Sequence, residues 1–341
     1  MRAAEAADDP VSPQDAAELL HSFRSFRHVA IAVSGGGDSM ALMWLAAQWA
    51  KETPEPPRLS VLTVDHGLRP ESREEAEFVA DRAKALGLAA ELLEWVGDKP
   101  ATGVQARARA ARYDLLLAWC LDHGAGALAT AHSLEDQAET FVMRLARGSG
   151  VDGLSGIRPW REDRIAILRP LLGVSRARLR NTLLKAGIGW IEDPSNRDRR
   201  FERVRWRKAL ELLEQEGLAP AMIALSMRRL ERARQALEQA TSRIEASAVA
   251  HQAAYATVRL ADVQTEPEEL VVRLLRRLVV RYGAGGEAPE LSALERLSAW
   301  LSSGPSGGRT LAGCRITRRK GALRISREAP RKSPGGTRQN G

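Results

Sequence analysis

Three consecutive glycines, Gly35-Gly36-Gly37, constrain this chain more than any other feature. Ser34 precedes them and Asp38-Ser39 follows. They sit between two apolar segments of different period. The run from His28 to Val33 is short and β-branched and reads as a strand, whereas Met40–Glu52 is rich in Ala and Leu and reads as a helix. Glycines at a strand–helix junction let the backbone approach an anion closely and turn its N–H groups inward. The following helix adds its positive end, and Ser34 and Ser39 add hydroxyl donors. The result is a phosphate cradle. No Gly-Lys-Ser/Thr follows, so it is not a Walker A loop, and it lacks the Gly-x-Gly-x-x-Gly spacing of dinucleotide folds.

The same alternation continues. Strands are predicted at 59–67, 89–96 and 126–133, with helices at 74–87, 104–124 and 134–148, after a first helix from Ser12 to Phe26. Strands alternating with helices of this length imply an α/β unit with a parallel sheet, whose ligands sit at the carboxyl ends of the strands. After Leu210 the pattern becomes helical, over 222–252, 266–283 and 293–304, and ends in an alternating hairpin at 309–326. The expected fold is therefore a parallel-sheet α/β domain followed by a smaller, mostly helical domain ending in a short hairpin. The expected divisions are a loose leader at 1–13, the α/β domain at 14–208, the helical domain at 209–327 and a disordered basic tail at 328–341, with a linker near 208–218.

The composition, 44% hydrophobic and 28% charged over 341 residues, supplies enough apolar side chains for packed cores. Two cysteines, Cys120 and Cys314, exclude a disulfide scaffold and a multi-cysteine zinc site. No apolar run approaches about 18 residues, and the acidic N-terminal segment lacks the apolar core of a signal peptide. A cytoplasmic location is expected, with no membrane partner. The net charge of +8 is uneven. Residues 315–341 hold nine Lys/Arg against one Glu, and 158–208 hold fifteen against six Asp/Glu. Two basic blocks suit a polyanion such as nucleic acid; solvated Arg-rich faces and a solubility tail are the other reading.

Further blocks follow in order: Val64-Asp65-His66-Gly67-Leu68-Arg69, Gln105–Arg109, Ala111-Arg112-Tyr113, Thr130–Thr140, Arg147–Ile157, Arg169-Pro170-Leu171-Leu172, Trp190–Asn196 and Phe201-Glu202-Arg203. With the Ser34–Ser39 loop, which matches the PP-loop of N-type ATP pyrophosphatases, this set resembles the tRNA(Ile)-lysidine synthetase family over residues 29–208. The resemblance implies ATP and Mg²⁺ as cofactors, free L-lysine as substrate, and an isoleucine tRNA with a CAU anticodon as partner. ATP would adenylate position 2 of the wobble cytidine, and the lysine ε-amine would then displace AMP. Ser34, Gly35, Gly36, Gly37, Asp38 and Ser39 would bind the nucleotide, with no dedicated protein metal site. Asp38, Arg112, His132, Asp136, Glu139 and Arg203 are the catalytic candidates.

Asp136 and Glu139 are three residues apart and share a helix face, which suits a cationic amine, whereas Arg112 and Arg203 suit phosphate oxygens. Asp65 and His66 could contact the nucleotide or merely shape a turn. Trp190 and Trp206 could stack on a base or pack in a core. Arg197, Arg199, Arg200, Arg205 and Arg207 could meet the anticodon stem, and Arg315, Arg318, Arg319 and Lys320 the rest of the tRNA. Three positions depart from the family wording: Ser133, Glu135 and Val204. A tRNA thiolase and a non-catalytic nucleotide-binding RNA module are the alternatives, although thiolation calls for cysteines near the site. The oligomeric state is open, a homodimer being one candidate.

Overall fold

A computed structural model describes residues 8–68, 70–97, 104–192, 200, 202–283, 288–319 and 321–329. The chain forms two compact units, Met1–Glu231 and Arg232–Gly341.

In the first unit, α1 (Pro13–Leu19) starts at a reciprocal cap: Ser12 Oγ accepts from the Asp15 N–H and Asp15 Oδ2 accepts from the Ser12 N–H, each at 3.1 Å. The helix expected through Phe26 stops at Leu19. A 3₁₀ segment, His21–Ser25, replaces its second half and drops Phe23 edge-on against Trp49, ring centroids 5.8 Å apart. The chain then runs through β1 (His28–Ala32), α2 (Gly37–Glu52), β2 (Arg58–Asp65), α3 (Ser72–Ala85), β3 (Ala89–Glu94), α4 (Val104–Asp122), β4 (Ala127–Ala129) and α5 (Leu134–Leu145). These are the alternating elements expected from the sequence. They continue with α6 (Val151–Leu154), β5 (Trp160–Glu162), β6 (Ala166–Leu168), α7 (Arg176–Ala186) and α8 (Glu202–Gln215).

The six strands are ordered β3-β2-β1-β4-β6-β5. All neighbours pair in parallel except β5, which lies antiparallel on the β6 edge. β1 and β4 are central and buried, as fits parallel strands covered on both faces. The chain order reverses between β1 and β4, so the crevice beyond their carboxyl ends is the natural ligand site. Helix α8 occupies much of the stretch expected as a linker. Its Leu210 packs with Ala138 and Val142 of α5 and with Ile223 and Met227 of the next helix, α9 (Pro220–Ala248), so the first unit runs on to Glu231.

The second unit takes the remainder of α9, then β7 (Val249–His251), β8 (Tyr255–Arg259), α10 (Leu260–Val263), α11 (Glu268–Tyr282), α12 (Leu291–Ser303), β9 (Gly307–Leu311), β10 (Cys314–Arg319) and β11 (Ala322–Arg327). The expected hairpin belongs to an antiparallel sheet ordered β7-β8-β11-β10-β9. Leu270, Leu274 and Leu278 of α11, spaced four apart, join Ile316, Leu323 and Ile325 of the sheet in one core. No helix among the described residues is long and apolar enough to cross a membrane.

Candidate active site

The glycine loop leaves β1 and turns into α2. Gly35 has φ +83°, and a Cβ there would lie 2.7 Å from Ile191 Cδ1, so both conformation and space call for glycine. The Ile191 N–H donates to the Gly35 carbonyl at 2.9 Å, closing one wall. Gly37, Asp38 and Ser39 form the first turn of α2, with Gly36 as its N-cap. Ser39 Oγ donates to the Gly36 carbonyl at 2.9 Å and accepts from the Ser34 N–H at 3.2 Å, which ties the loop across its mouth.

A cavity of about 870 Å³ opens beyond this loop, at the β1/β4 crevice. Ser34, Gly36, Gly37, Asp38, Ser39, Arg112, His132, Asp136 and Arg203 all line it, so residues up to 169 positions apart in sequence meet in one place. Gly35 turns its free side to Ile191 instead. Glu139 is 1% exposed and lies behind the lining, where its Oε1 accepts from Arg176 Nη1 at 3.0 Å and Arg207 Nε at 2.9 Å.

Three arginines on the lining, Arg112, Arg180 and Arg203, have no hydrogen-bond or ion-pair partner among the described residues. Burial and the nearby Arg109 push the Arg112 pKa below the usual guanidinium value. Guanidinium groups held around a glycine loop without a hydrogen-bonded counter-ion are poised for an anion.

The acidic side is organised by a residue the sequence reading did not single out. Arg176, first residue of α7, donates Nη2 to Asp136 Oδ1 at 2.7 Å, Nη1 to Glu139 Oε1 at 3.0 Å and Nε to Asp38 Oδ2 at 3.2 Å. Its own N–H donates to both Glu135 carboxylate oxygens at 3.0 Å, which gives the departure at 135 a local task. The departure at 133 also fits: Ser133 is fully buried as the N-cap of α5, and its N–H donates to Asp136 Oδ2 at 2.9 Å. Val204 is buried and apolar.

Burial pushes the Asp38 carboxyl up to about 6, against the pull of Arg176 and helped by Asp136 and Glu135. Burial works the same way on Asp136, but Arg176 and the Ser133 N–H outweigh it and hold that carboxyl below the ordinary range. Burial depresses the His132 pKa, despite Asp136, so the imidazole is neutral near pH 7; its Nδ1 is 3.0 Å from Thr130 Oγ1.

Asp65 does not line the cavity. It shapes a turn, accepting from the Gly67 N–H at 2.9 Å and from Ser72 Oγ; His66 does line the cavity. Trp190 packs on the core and also forms part of the wall, whereas Trp206 packs beside Ala138 and Val142. Arg207, read as a stem contact, is engaged with Glu139, and Arg318 donates to the Trp300 carbonyl at 3.1 Å. The leader 1–7, Arg69, the side chains of Gln105 and Ala106, Asp193–Arg199, Phe201, Lys320 and the tail from 330 lie outside the described residues.

A PP-loop domain family model matches residues 10–214. The chain is 41% identical to the tRNA(Ile)-lysidine synthase of Bradyrhizobium sp. strain BTAi1, covering 96% of this chain and 97% of the relative. It is 42% identical to the enzyme of that name from Methylobacterium sp. strain 4-46, covering 95% and 96%, and 43% identical to that from Rhodopseudomonas palustris, covering 86% of each. Among solved structures, a U34-tRNA thiolase from Methanococcus maripaludis shares the fold, with TM-score 0.55 and 17% identity over 64% of this chain and 78% of that one.

Proposed function

We infer from the tRNA(Ile)-lysidine synthase family, to which this chain belongs, that the cavity forms lysidine on tRNA(Ile) at the expense of ATP. Mg²⁺ would accompany the triphosphate and add positive charge at its phosphates. Among the described residues no group of three or more His, Cys, Asp or Glu is gathered to hold a metal by itself. The N–H groups at the start of α2 and the Ser34 hydroxyl receive the phosphates, with Ser39 holding the loop in shape. Arg112 and Arg203 supply positive charge where negative charge develops as pyrophosphate departs.

In the first step O2 of the wobble cytidine, in the CAU anticodon, attacks the α-phosphorus. The new P–O bond forms as the bond to the β-phosphate breaks. In the second step the lysine ε-amine attacks C2 of the cytidine, a C–N bond forms, and AMP leaves with the former O2. The amine must reach C2 without its extra proton. Asp136 and Asp38 face the cavity as carboxylates for the ammonium, and Asp38, with its raised pKa, is the better proton acceptor of the two. Glu139 acts from behind by holding Arg176 and Arg207. The first unit is the catalytic domain in this reading. The exposed Arg315 and Arg319 of β10 are tRNA contacts of the second.

The observation that carries the reading is the placement of unpaired arginines and a carboxylate cluster around one glycine loop. Thiolation does not suit the same cavity. Cys120 and Cys314 are both fully buried and neither lines it, and burial pushes the Cys120 thiol up to about 12. Purified protein with MgATP, labelled lysine and CAU-anticodon isoleucine tRNA is expected to incorporate label. Asp38→Asn is expected to lower incorporation about a thousandfold, within the range for loss of a positioned acid–base group. Wild-type protein that adenylates the tRNA without taking up lysine would sink the reading.

A further inference from the structure

Arg176 is the most heavily engaged side chain in the cavity, and its partners come from separate elements. Asp38 is on α2, beside the nucleotide loop; Asp136 and Glu139 are on α5, beside β4. Three carboxylates this close repel one another, and like charges in a buried site suppress ionisation. Each nitrogen of the guanidinium meets a different carboxylate, a fit that a flat, forked cation provides and a point charge does not. The arginine is held at both ends: Glu135 fixes its backbone, and Glu139, itself shared with Arg207, fixes its head.

Resting on the lysidine-forming reading above, we propose that Arg176 is the positioning residue of this site, yoking the carboxylate of the ATP side to that of the amine side so that both stay charged and correctly spaced. It does not contact the phosphates, because its nitrogens are committed to carboxylates. It acts through Asp38 and Asp136. The groups acting on Asp38 are Arg176 from α7 and Asp136 and Glu135 from α5. The stem of Arg180 also passes nearby, its Cγ 3.8 Å from where a Gly37 Cβ would stand. Removing Arg176 deletes the cation that draws Asp38 toward ionisation and leaves the two acidic neighbours opposing it.

The test compares wild type, Arg176→Gln and Arg176→Lys for lysine incorporation across pH, with thermal unfolding of each. Wild type is expected to lose kcat/KM below about pH 6 as Asp38 takes up a proton. In Arg176→Gln that acid limb should move up by about one pH unit, the smaller end of the effect of an adjacent cation on a carboxyl. In Arg176→Lys the limb should return toward the wild-type position while kcat stays reduced at least about tenfold, because one ammonium cannot serve three carboxylates in the arginine's geometry. A folded Arg176→Gln protein with an unmoved limb overturns the proposal. Should Arg176→Gln not fold, Arg176→Lys decides alone: wild-type kcat in that variant overturns it. Absence of lysine incorporation by wild type is a failure of the functional reading instead, and a different result from either.

Discussion

In each unit of this molecule, among the described residues, two arginines bridge three carboxylates, and the two networks behave in opposite ways. In the first, Arg176 and Arg207 serve Asp38, Asp136 and Glu139. In the second, Arg273 and Arg277 serve Glu238, Glu269 and Glu245, joining the later part of α9 to α11. In both, the bridged carboxylates outnumber the bridging arginines. Exposure differs: the carboxylate side chains are 2–23% exposed in the first network and 21–51% exposed in the second. Water screens the surplus in the second, where burial is outweighed and Arg277 and Arg273 hold Glu238 below its usual range. In the first, burial together with the acidic neighbours raises the Asp38 pKa, and Glu139 Oε2 is buried with no hydrogen-bond partner among the described residues. One arrangement of charges thus makes a fastening in one place and reactive groups in the other.

Equivalent substitutions test this contrast. Glu139→Gln should be the most damaging, costing about 3 kcal/mol of stability, at the lower end for breaking a buried pair because the amide retains hydrogen bonds. Denaturant unfolding measures it, and a Glu139→Gln protein as stable as wild type would break the comparison. Glu238→Gln should cost about 1 kcal/mol or less and leave lysine incorporation per folded molecule unchanged. A loss of activity there would mean the second network is more than a fastening. The smallest effect is in pH dependence. Between pH 6 and the ordinary carboxyl range the folded chain holds a proton on Asp38 that the unfolded chain does not, so this residue's contribution favours folding as pH falls. Asp38→Asn removes the ionised form, so its Tm should exceed that of wild type near pH 7, and the gap should shrink below pH 6 and close only as pH falls to about 4. Parallel Tm curves across that interval would mean that burial does not strain Asp38.

Much of the first unit was legible because its signals are local. The glycine loop, the runs around it and the 3.6-residue pattern of the helices each fit within a dozen residues. Strands β5, β6 and β7 escaped because three residues hold too little pattern, and β8 because its place in the sheet is set by β11, more than 60 residues on. Arg176 escaped for the same reason: its side-chain partners lie 37, 40 and 138 positions away. One local sign was present. Helix α7 starts with Arg176 behind its Ser175 cap and has no acidic residue in its first turn. A cation at the positive end of a helix works against the dipole, and such a conflict between local preference and observed sequence marks a functional position. Asp65 shows the opposite outcome: at a strand exit beside a histidine it resembled a ligand, yet its hydrogen bonds are spent on the turn.

Both native cysteines are fully buried; Cys314 Sγ lies 3.4 Å from the Val279 carbonyl, and Cys120 sits within the core beneath β4. A thiolate forms only slowly in such surroundings. Maleimide dyes and spin labels should therefore pass over the folded wild-type chain, and a single cysteine introduced on the surface can carry a fluorophore for distance measurements without first clearing the native background.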